Sequence, residues 1–278
     1  MQTQTPLFDP PLDCQCTTRV TEMLFQDIAA DDLHERLQEV NRTFTDVAII
    51  TRFPKVWQDR LPKAKVVDFD DVLALPQRSF DLVIHTLCLH RANDPVGQLI
   101  QSRNALRPDG MFLANLFGGE TLHELRASLA EAETKVTGGL SPRVSPMGEI
   151  RDLGALLQRA GLALPVADGV QTTATYTDAF ALMRDLRMMG ETNSMTARNK
   201  TFVKRDLFDE TDRIYKAAFA LDGDRIPATF EIITLTGWAP SKDQPQPLRP
   251  GSATNRLADA LGTIETPVGD PTRRGSDT

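Results

Sequence analysis

Residues 80–126, FDLVIHTLCLHRANDPVGQLIQSRNALRPDGMFLANLFGGETLHELR, constrain the fold more than any other stretch of the chain. Phe80, Leu82, Val83, Ile84 and Leu87 form a near-continuous apolar run, the pattern of a strand buried on both faces of a parallel sheet. Asp94-Pro95 marks a helix start, because an Asp side chain accepts orphan backbone N–H bonds and proline loses nothing at the first helical position. Val96, Leu99, Ile100, Arg103 and Leu106 follow at helical spacing. Arg107-Pro108-Asp109-Gly110 should end that helix in a turn, and residues 111–117 read as a second buried strand. Strand, helix, turn and strand in this order make a right-handed parallel crossover, so the fold class is α/β.

The flanks extend the same plan. Residues 18–40 carry apolar positions suited to one or two helices, 46–51 (DVAIIT) read as a short buried strand, and 65–69 (KVVDF) as another. Between them, 53–61 suggest a short helix weakened by Pro54. Thr121 and Glu124 fit a capping box for a helix faced by Leu122, Leu125, Leu129 and Val136. A loop at 138–147, a helix at 150–160 closed by Gly161, and a strand at 162–170 come next. Helices are expected at 178–189 and 205–221, and a β-branched strand at 228–238. The whole reads as a doubly wound, mostly parallel sheet with ligands held beyond the carboxyl ends of its strands. The loops after Ile50, Phe69, Leu87 and Phe117 should face one crevice, roofed by insertions at 119–147 and 174–225. The expected organisation is a loosely held arm over 1–17, one domain over 18–240, and a Pro-, Gly- and charge-rich tail over 241–278.

Charge and composition exclude several roles. The 278 residues suffice for a full core, and a net charge of −7 argues against nucleic acid as a partner. No run approaches the roughly 18 apolar residues of a membrane span, so an integral membrane protein is not expected. The first residues, MQTQTPLFDPPLD, lack the basic and apolar parts of a signal peptide, and three cysteines favour a reducing compartment; the expectation is cytoplasmic. Cys14 and Cys16 have no further Cys or His nearby to complete a metal site, and no metal is expected.

Four segments, FDLVIHTLCLHRANDP, ALRPDGMFLANLFGGETLHELR, SPRVSPMGEIRDLGALLQRAG and TFEIITLTGWAP, resemble the class I S-adenosylmethionine-dependent methyltransferases. Within that superfamily they are most similar to the group holding the biotin-synthesis carboxyl methyltransferase and the mitochondrial complex I assembly factor described as an arginine hydroxylase. The resemblance to the assembly-factor branch runs from about Asp71 to Gly262; FGGETLHELR, the Met-Gly-Glu-Thr-Asn run at 189–193 and the late GWAP…RPGSA carry most of it. It implies a Rossmann-like (class I methyltransferase) fold, S-adenosylmethionine as cofactor, and a complex I subunit or other protein substrate as partner.

At the cofactor loop the residues depart from that pattern. The family has glycines after the first strand, where backbone approaches the methionine end of the cofactor. Here AIITRFPKVW, residues 48–57, holds no glycine. Thr51, Phe53 and Leu87 are the positional candidates for cofactor contact, and either Asp68 or Asp71 the acidic one. If KVVDF is the second strand, Asp68 would hold the ribose. If a strand–helix unit is deleted and KVVDF is the third, which the run DVLALPQRSFDLV favours, Asp71 would meet the adenine side. Cofactor binding is therefore expected to be weakened or lost, leaving a pseudoenzyme that docks a partner; the alternative is an active transferase or hydroxylase acting on a protein side chain or carrier-bound acid.

His90, at a strand's carboxyl end, is the candidate base, against a structural reading as a polar loop residue. Arg143, in the roof motif Ser-Pro-Arg, is the candidate carboxylate holder, against a surface loop arginine. Gly118-Gly119-Glu120 offers backbone N–H groups to an anion, or else is only a tight turn. Asp94 reads as a cap, Tyr176 and Cys88 as packing, and His85 and His123 as having no ligand role.

Overall fold

The computed structural model describes residues 5–9 and 20–245, with residues 12, 15, 258, 259, 262 and 263. The chain divides into a unit of residues 1–241 and one of residues 242–278; the sheet, its helices and the pocket below all belong to the first. Most of the expected arm and tail, with Cys14 and Cys16, lies outside the described residues.

Helix α1 (Leu24–Glu39) precedes β1 (Val47–Thr51), whose five residues are all buried. Then come β2 (Lys65–Asp68), β3 (Phe80–Thr86), α2 (Pro95–Ala105) and β4 (Leu106–Phe117). The roof helix α3 (His123–Thr137), α4 (Ile150–Arg159), β5 (Ala163–Tyr176), α5 (Ala179–Met188), α6 (Arg205–Phe219) and β6 (Ile226–Trp238) complete the unit. The six strands form one sheet in the order β2-β1-β3-β4-β6-β5. The first four run parallel, as their continuous apolar runs require. β6 runs antiparallel to β4 and β5 antiparallel to β6, a direction that apolar pattern does not encode.

One strand lies outside β1. β2 pairs with it residue by residue, from Ala48 with Lys65 to Thr51 with Asp68. Neither connection on this edge holds an α-helix: β1 leads into a 3-10 turn (Pro54–Trp57), and residues 69–79 run to β3 as loop. Pro54 opens that turn, where its missing N–H costs nothing, and Trp57 anchors it at 1% exposure.

The crossover at the centre forms as the spacing predicts. Asp94 accepts from Gly97 N at 2.8 Å and Pro95 takes the first helical position. Arg107-Pro108-Asp109-Gly110 is a bulge rather than a free turn. The register jumps from Phe80 with Leu106 to Leu82 with Met111, and Asp109 has φ +62°. The bulge is stitched to the end of β6 by Asp109 N to Ala239 O and Ala239 N to Gly110 O.

The expected capping box at Thr121 and Glu124 does not form. Leu122 stands at the helix start with φ +56° and no side chain caps it. Thr121 Oγ1 instead accepts from Glu231 N at 3.0 Å and donates to Glu231 O at 3.2 Å, while Glu124 accepts from Thr229 Oγ1 at 2.6 Å. Both side chains fasten the roof to β6, where a buried strand segment offers stronger competition than the helix's own end.

Three packed layers result. α2 and α4 cover one sheet face through Leu99, Leu153 and Leu157. α1 covers the other over Ile49, Leu82 and Leu113. The roof core joins Phe25, Phe117, Leu125, Leu182, Tyr215 and Phe230 above the ends of β3 and β4.

Candidate functional site

The chain leaves β3 through Leu87, at φ +41°, whose N–H donates to Asn115 Oδ1 at 3.1 Å and whose side chain is buried in the roof core. A 3-10 turn follows at Leu89–Arg91, with all three residues buried. It delivers His90 and Arg91 to the floor of a cavity of about 280 Å³ beyond the carboxyl ends of β3 and β4. Phe117, Leu125, Leu129, Met183, Phe208 and Phe230 supply apolar wall, and Arg143, Arg187 and Glu191 the charge.

Glu191 lies in the loop after α5 and is the polar centre of the cavity. Arg91 Nη1 donates to its Oε2 at 3.0 Å, and Arg91 Nη2 donates to Ser194 Oγ at 2.6 Å and Thr192 O at 3.3 Å. Burial pushes the Glu191 carboxyl up; the positive charge of Arg91, with His90 and Arg52 behind it, more than reverses this and holds it far below the usual carboxylate range. Glu191 is therefore an anion out of water. His90 Nε2 lies 3.5 Å from Oε2, too long for a formed hydrogen bond, and neither ring nitrogen has another partner among the described residues. The ring is fixed instead by edge-on packing against Phe117, 5.1 Å between centroids.

Arg143 reaches the same cavity from the roof loop. Its Nη2 donates to Glu133 Oε1 at 2.7 Å, and Ser141 donates to the same carboxylate through N and Oγ. Burial raises the Glu133 carboxyl, but Arg143 and Ser141 bring it net below its ordinary value. The guanidinium thus holds a carboxylate of its own chain, while its buried Nε has no partner among the described residues.

The structure brings His90 and Arg143 together in one cavity, and none of Thr51, Phe53, Asp68, Asp71 or Leu87 lines it. Thr51 Oγ1 accepts from Phe53 N at 3.0 Å, and Phe53 is buried with Val56 and Trp57. Arg52 stands over the Phe53 ring at 5.7 Å. Asp68 and Asp71 are both exposed, and the loop they flank is tied to α2 by Gln98 and Gln101, which donate to Asp70 O and Asp71 O. At the bend after β1 the side chains of Thr51, Phe53, Val56 and Trp57 are all buried.

Gly118-Gly119-Glu120 offers nothing to an anion: their N–H groups are spent on Glu231 O, Gly148 O and Glu231 Oε2. His85 is wholly buried between Gln98 and Cys88, and burial pushes it down to about 4. Glu191 and Arg91 are the residues that the spacing does not single out. The signal for Glu191 was present in the Met-Gly-Glu-Thr-Asn run, but it sits in polar sequence between two helices and reads as loop.

Comparison with known proteins agrees with this fold. The family described as "Methyltransferase domain" matches residues 24–114. The chain is 42% identical over 195 residues to "Arginine-hydroxylase NDUFAF5, mitochondrial" of Dictyostelium discoideum, an alignment covering 70% of this chain and 44% of that protein. With the protein of the same name from Rattus norvegicus it is 37% identical over 234 residues, covering 84% and 68%. A "Malonyl-[acyl-carrier protein] O-methyltransferase" of Xylella fastidiosa is 34% identical over 177 residues, covering 63% and 58%. The chain thus spans less than half of the first of these relatives and about two thirds of the second. In fold, it superposes on the crystal structure of the YcgJ protein from Bacillus subtilis with a TM-score of 0.50 at 12% identity, over 76% of this chain and 99% of that one. The cytoplasmic expectation is corrected by the NDUFAF5 relatives, which are mitochondrial by name. Few cysteines speak only for reducing surroundings, which more than one compartment supplies. No helix among the described residues is long and apolar enough to cross a membrane. With the sheet order, the roof and these identities together, the chain belongs to the NDUFAF5 family of methyltransferase-fold proteins.

Proposed function

We propose that this protein is a methyltransferase-fold protein of the complex I assembly-factor type, whose roofed cavity receives a side chain of a protein partner and whose hold on S-adenosylmethionine is weakened or lost. The single observation that carries the reading is a contrast between two bends. Behind β1, where the family's cofactor would lie, Thr51 and Phe53 are buried against their own neighbours and no glycine opens the backbone. These residues do not fit the methionine end of the cofactor. Behind β3 and β4 the cavity stays open, with an ionised carboxylate in it.

The relatives' name points to arginine, and the cavity suits one. Its apolar walls match the aliphatic stem, and the ionised Glu191 carboxylate in its lining is suited to accept from a guanidinium. By its resemblance to the assembly-factor branch, the partner is a subunit of complex I. The second reading, an active transferase or hydroxylase, draws its support from His90, a buried side chain in the cavity lining with Nε2 3.5 Å from Glu191 Oε2.

Calorimetry with S-adenosylmethionine and S-adenosylhomocysteine separates the two. No heat at millimolar ligand supports the first; a micromolar dissociation constant, about −8 kcal/mol, overturns it. Capture of complex I subunits from solubilised mitochondria by the immobilised chain tests the partner, and recovery of none of them counts against it.

A further inference from the structure

The first residues of the chain are not a loose arm where the structure describes them. Phe8 is 2% exposed and makes an antiparallel bridge with Met195. Thr196 N donates to Leu7 O and Asp9 N to Ser194 O, both at 2.9 Å. Phe8 N donates to Asn93 Oδ1 at 2.8 Å, and Arg198 Nη1 reaches Asp9 Oδ2 at 3.2 Å. A segment of five described residues is thus held by backbone, aromatic and ionic contacts to two loops far apart in sequence.

Those two loops are the ones that build the cavity. The Arg91 guanidinium lies 5.9 Å from the Phe8 ring on one side and donates to Glu191 and Ser194 on the other. Met195 N donates to Asn193 Oδ1, and Asn193 Nδ2 donates to Pro142 O, next to Arg143. Contacts therefore run from Phe8 to Arg91 and Glu191, and from Met195 through Asn193 to the roof loop.

We propose that residues 5–9 act as a strap, and that Phe8 is the positioning residue that holds in place the Arg91–Glu191 pair and the 191–196 loop, whose first three residues line the cavity. The physical basis is that a buried ion pair keeps its geometry only while water is excluded from both partners. The buried Phe8 ring is an apolar cover beside the Arg91 guanidinium. Without it, water reaches the guanidinium, the pair loosens, and the loop bearing Glu191 loses the strand partner that fixes it. The strap does not touch the ligand space itself, so it acts through Arg91.

Amide hydrogen exchange on full-length Phe8→Ala, Phe8→Leu and Asp9→Asn tests this, together with the pH titration of the Glu191 carboxyl carbon by NMR. Thr196 exchanges faster in Phe8→Ala on any account, because its acceptor is in the strap. The informative amides are Glu191, bonded to Leu186 O, and Met195, bonded to Asn193. The expected result is about tenfold faster exchange at both in Phe8→Ala. The Glu191 midpoint should move up toward the ordinary carboxylate range, and Phe8→Leu, which keeps the apolar cover, should recover most of both effects. Asp9→Asn removes only the ion pair with Arg198 and should give a smaller change of the same sign, which keeps the test open if Phe8→Ala folds poorly. Acceleration confined to Thr196, with Glu191 and Met195 protected and the titration unmoved, overturns the proposal. These readouts do not depend on what the cavity binds.

Discussion

Arg91 Nη1 donates to Glu191 Oε2 at 3.0 Å, with the two side chains 3% and 12% exposed. A pair this dry is held by geometry, since both charges are out of water and Arg91 is the foremost charge that lowers Glu191. Removing Arg91 takes that charge away from a buried carboxylate. Arg91→Ala should therefore cost about 3–5 kcal/mol in urea unfolding, and Glu191→Gln less, because an amide still accepts from the guanidinium.

The same carboxylate sets an acid limit. Its folded value lies below the usual 4.5, so ionised Glu191 stabilises the fold above that value. The contribution falls away as pH drops below about 4.5 toward the folded value, where the folded chain also takes up the proton. Unfolding free energies measured from pH 5 down to pH 3 should fall more steeply for wild type than for Glu191→Gln. Parallel curves would show that the pair does not carry the acid sensitivity.

His85 should act in a different window. It is buried and uncharged, at about 4 against an ordinary 6.5, so between those values the unfolded chain binds the proton that the folded chain refuses. Stability contributed by His85 is full above pH 6.5 and declines as pH falls toward 4, by up to about 3 kcal/mol. Urea titrations at pH 7, 5.5 and 4.5 check this, and His85→Gln should flatten that part of the profile while the Glu191 limb remains.

The two glycines before α3 should respond unequally. A Cβ at Gly118 would come within 2.3 Å of Glu231 Oε2 and 2.5 Å of Ile233 Cδ1, and Glu231 is held there by Glu120 N. At Gly119 its three nearest atoms would all belong to the end of the exposed Glu149 side chain, the first at 2.4 Å. Gly118→Ala should cost about 1–3 kcal/mol in thermal or urea unfolding, and Gly119→Ala within about 0.5 kcal/mol. Equal losses would mean that Glu149 is as fixed as Glu231.

How far residues alone lead depends on what encodes each feature. The crossover from Phe80 to Phe117 is legible because strands buried on both faces leave continuous apolar runs, and because Asp94-Pro95 has one good use. Strand direction is not in that pattern, which is why β6 reads as a strand but not as antiparallel. Thr121 and Glu124 have the right spacing for a capping box, yet spacing does not reveal that the β6 backbone competes for them. The cavity shows the same limit. His90 and Arg143 are readable from their places at a strand end and in a roof motif. Glu191 acquires its role only when Arg91, far away in sequence, is folded against it.

The bend after β1 gives the sharpest remaining test, because it contains its own reporter. Phe53 and Trp57 are buried in one cluster with Val56, and Trp57 is 1% exposed. Phe53→Ala removes most of a buried ring and should cost about 3–5 kcal/mol. It should also shift the Trp57 emission to the red as water enters. A cofactor that lodged at this bend would fill the vacated space and stabilise the variant, by about 2.7 kcal/mol at one hundred times its dissociation constant. The expectation is that millimolar S-adenosylmethionine leaves the melting temperature and emission of both wild type and Phe53→Ala unchanged, because Thr51, Arg52 and Pro54 still close the backbone to it. Stabilisation of wild type would return the chain to the cofactor-using reading. Stabilisation of the variant alone would identify Phe53 as the side chain that excludes the ligand, and would leave the weakened-binding reading standing on that one ring.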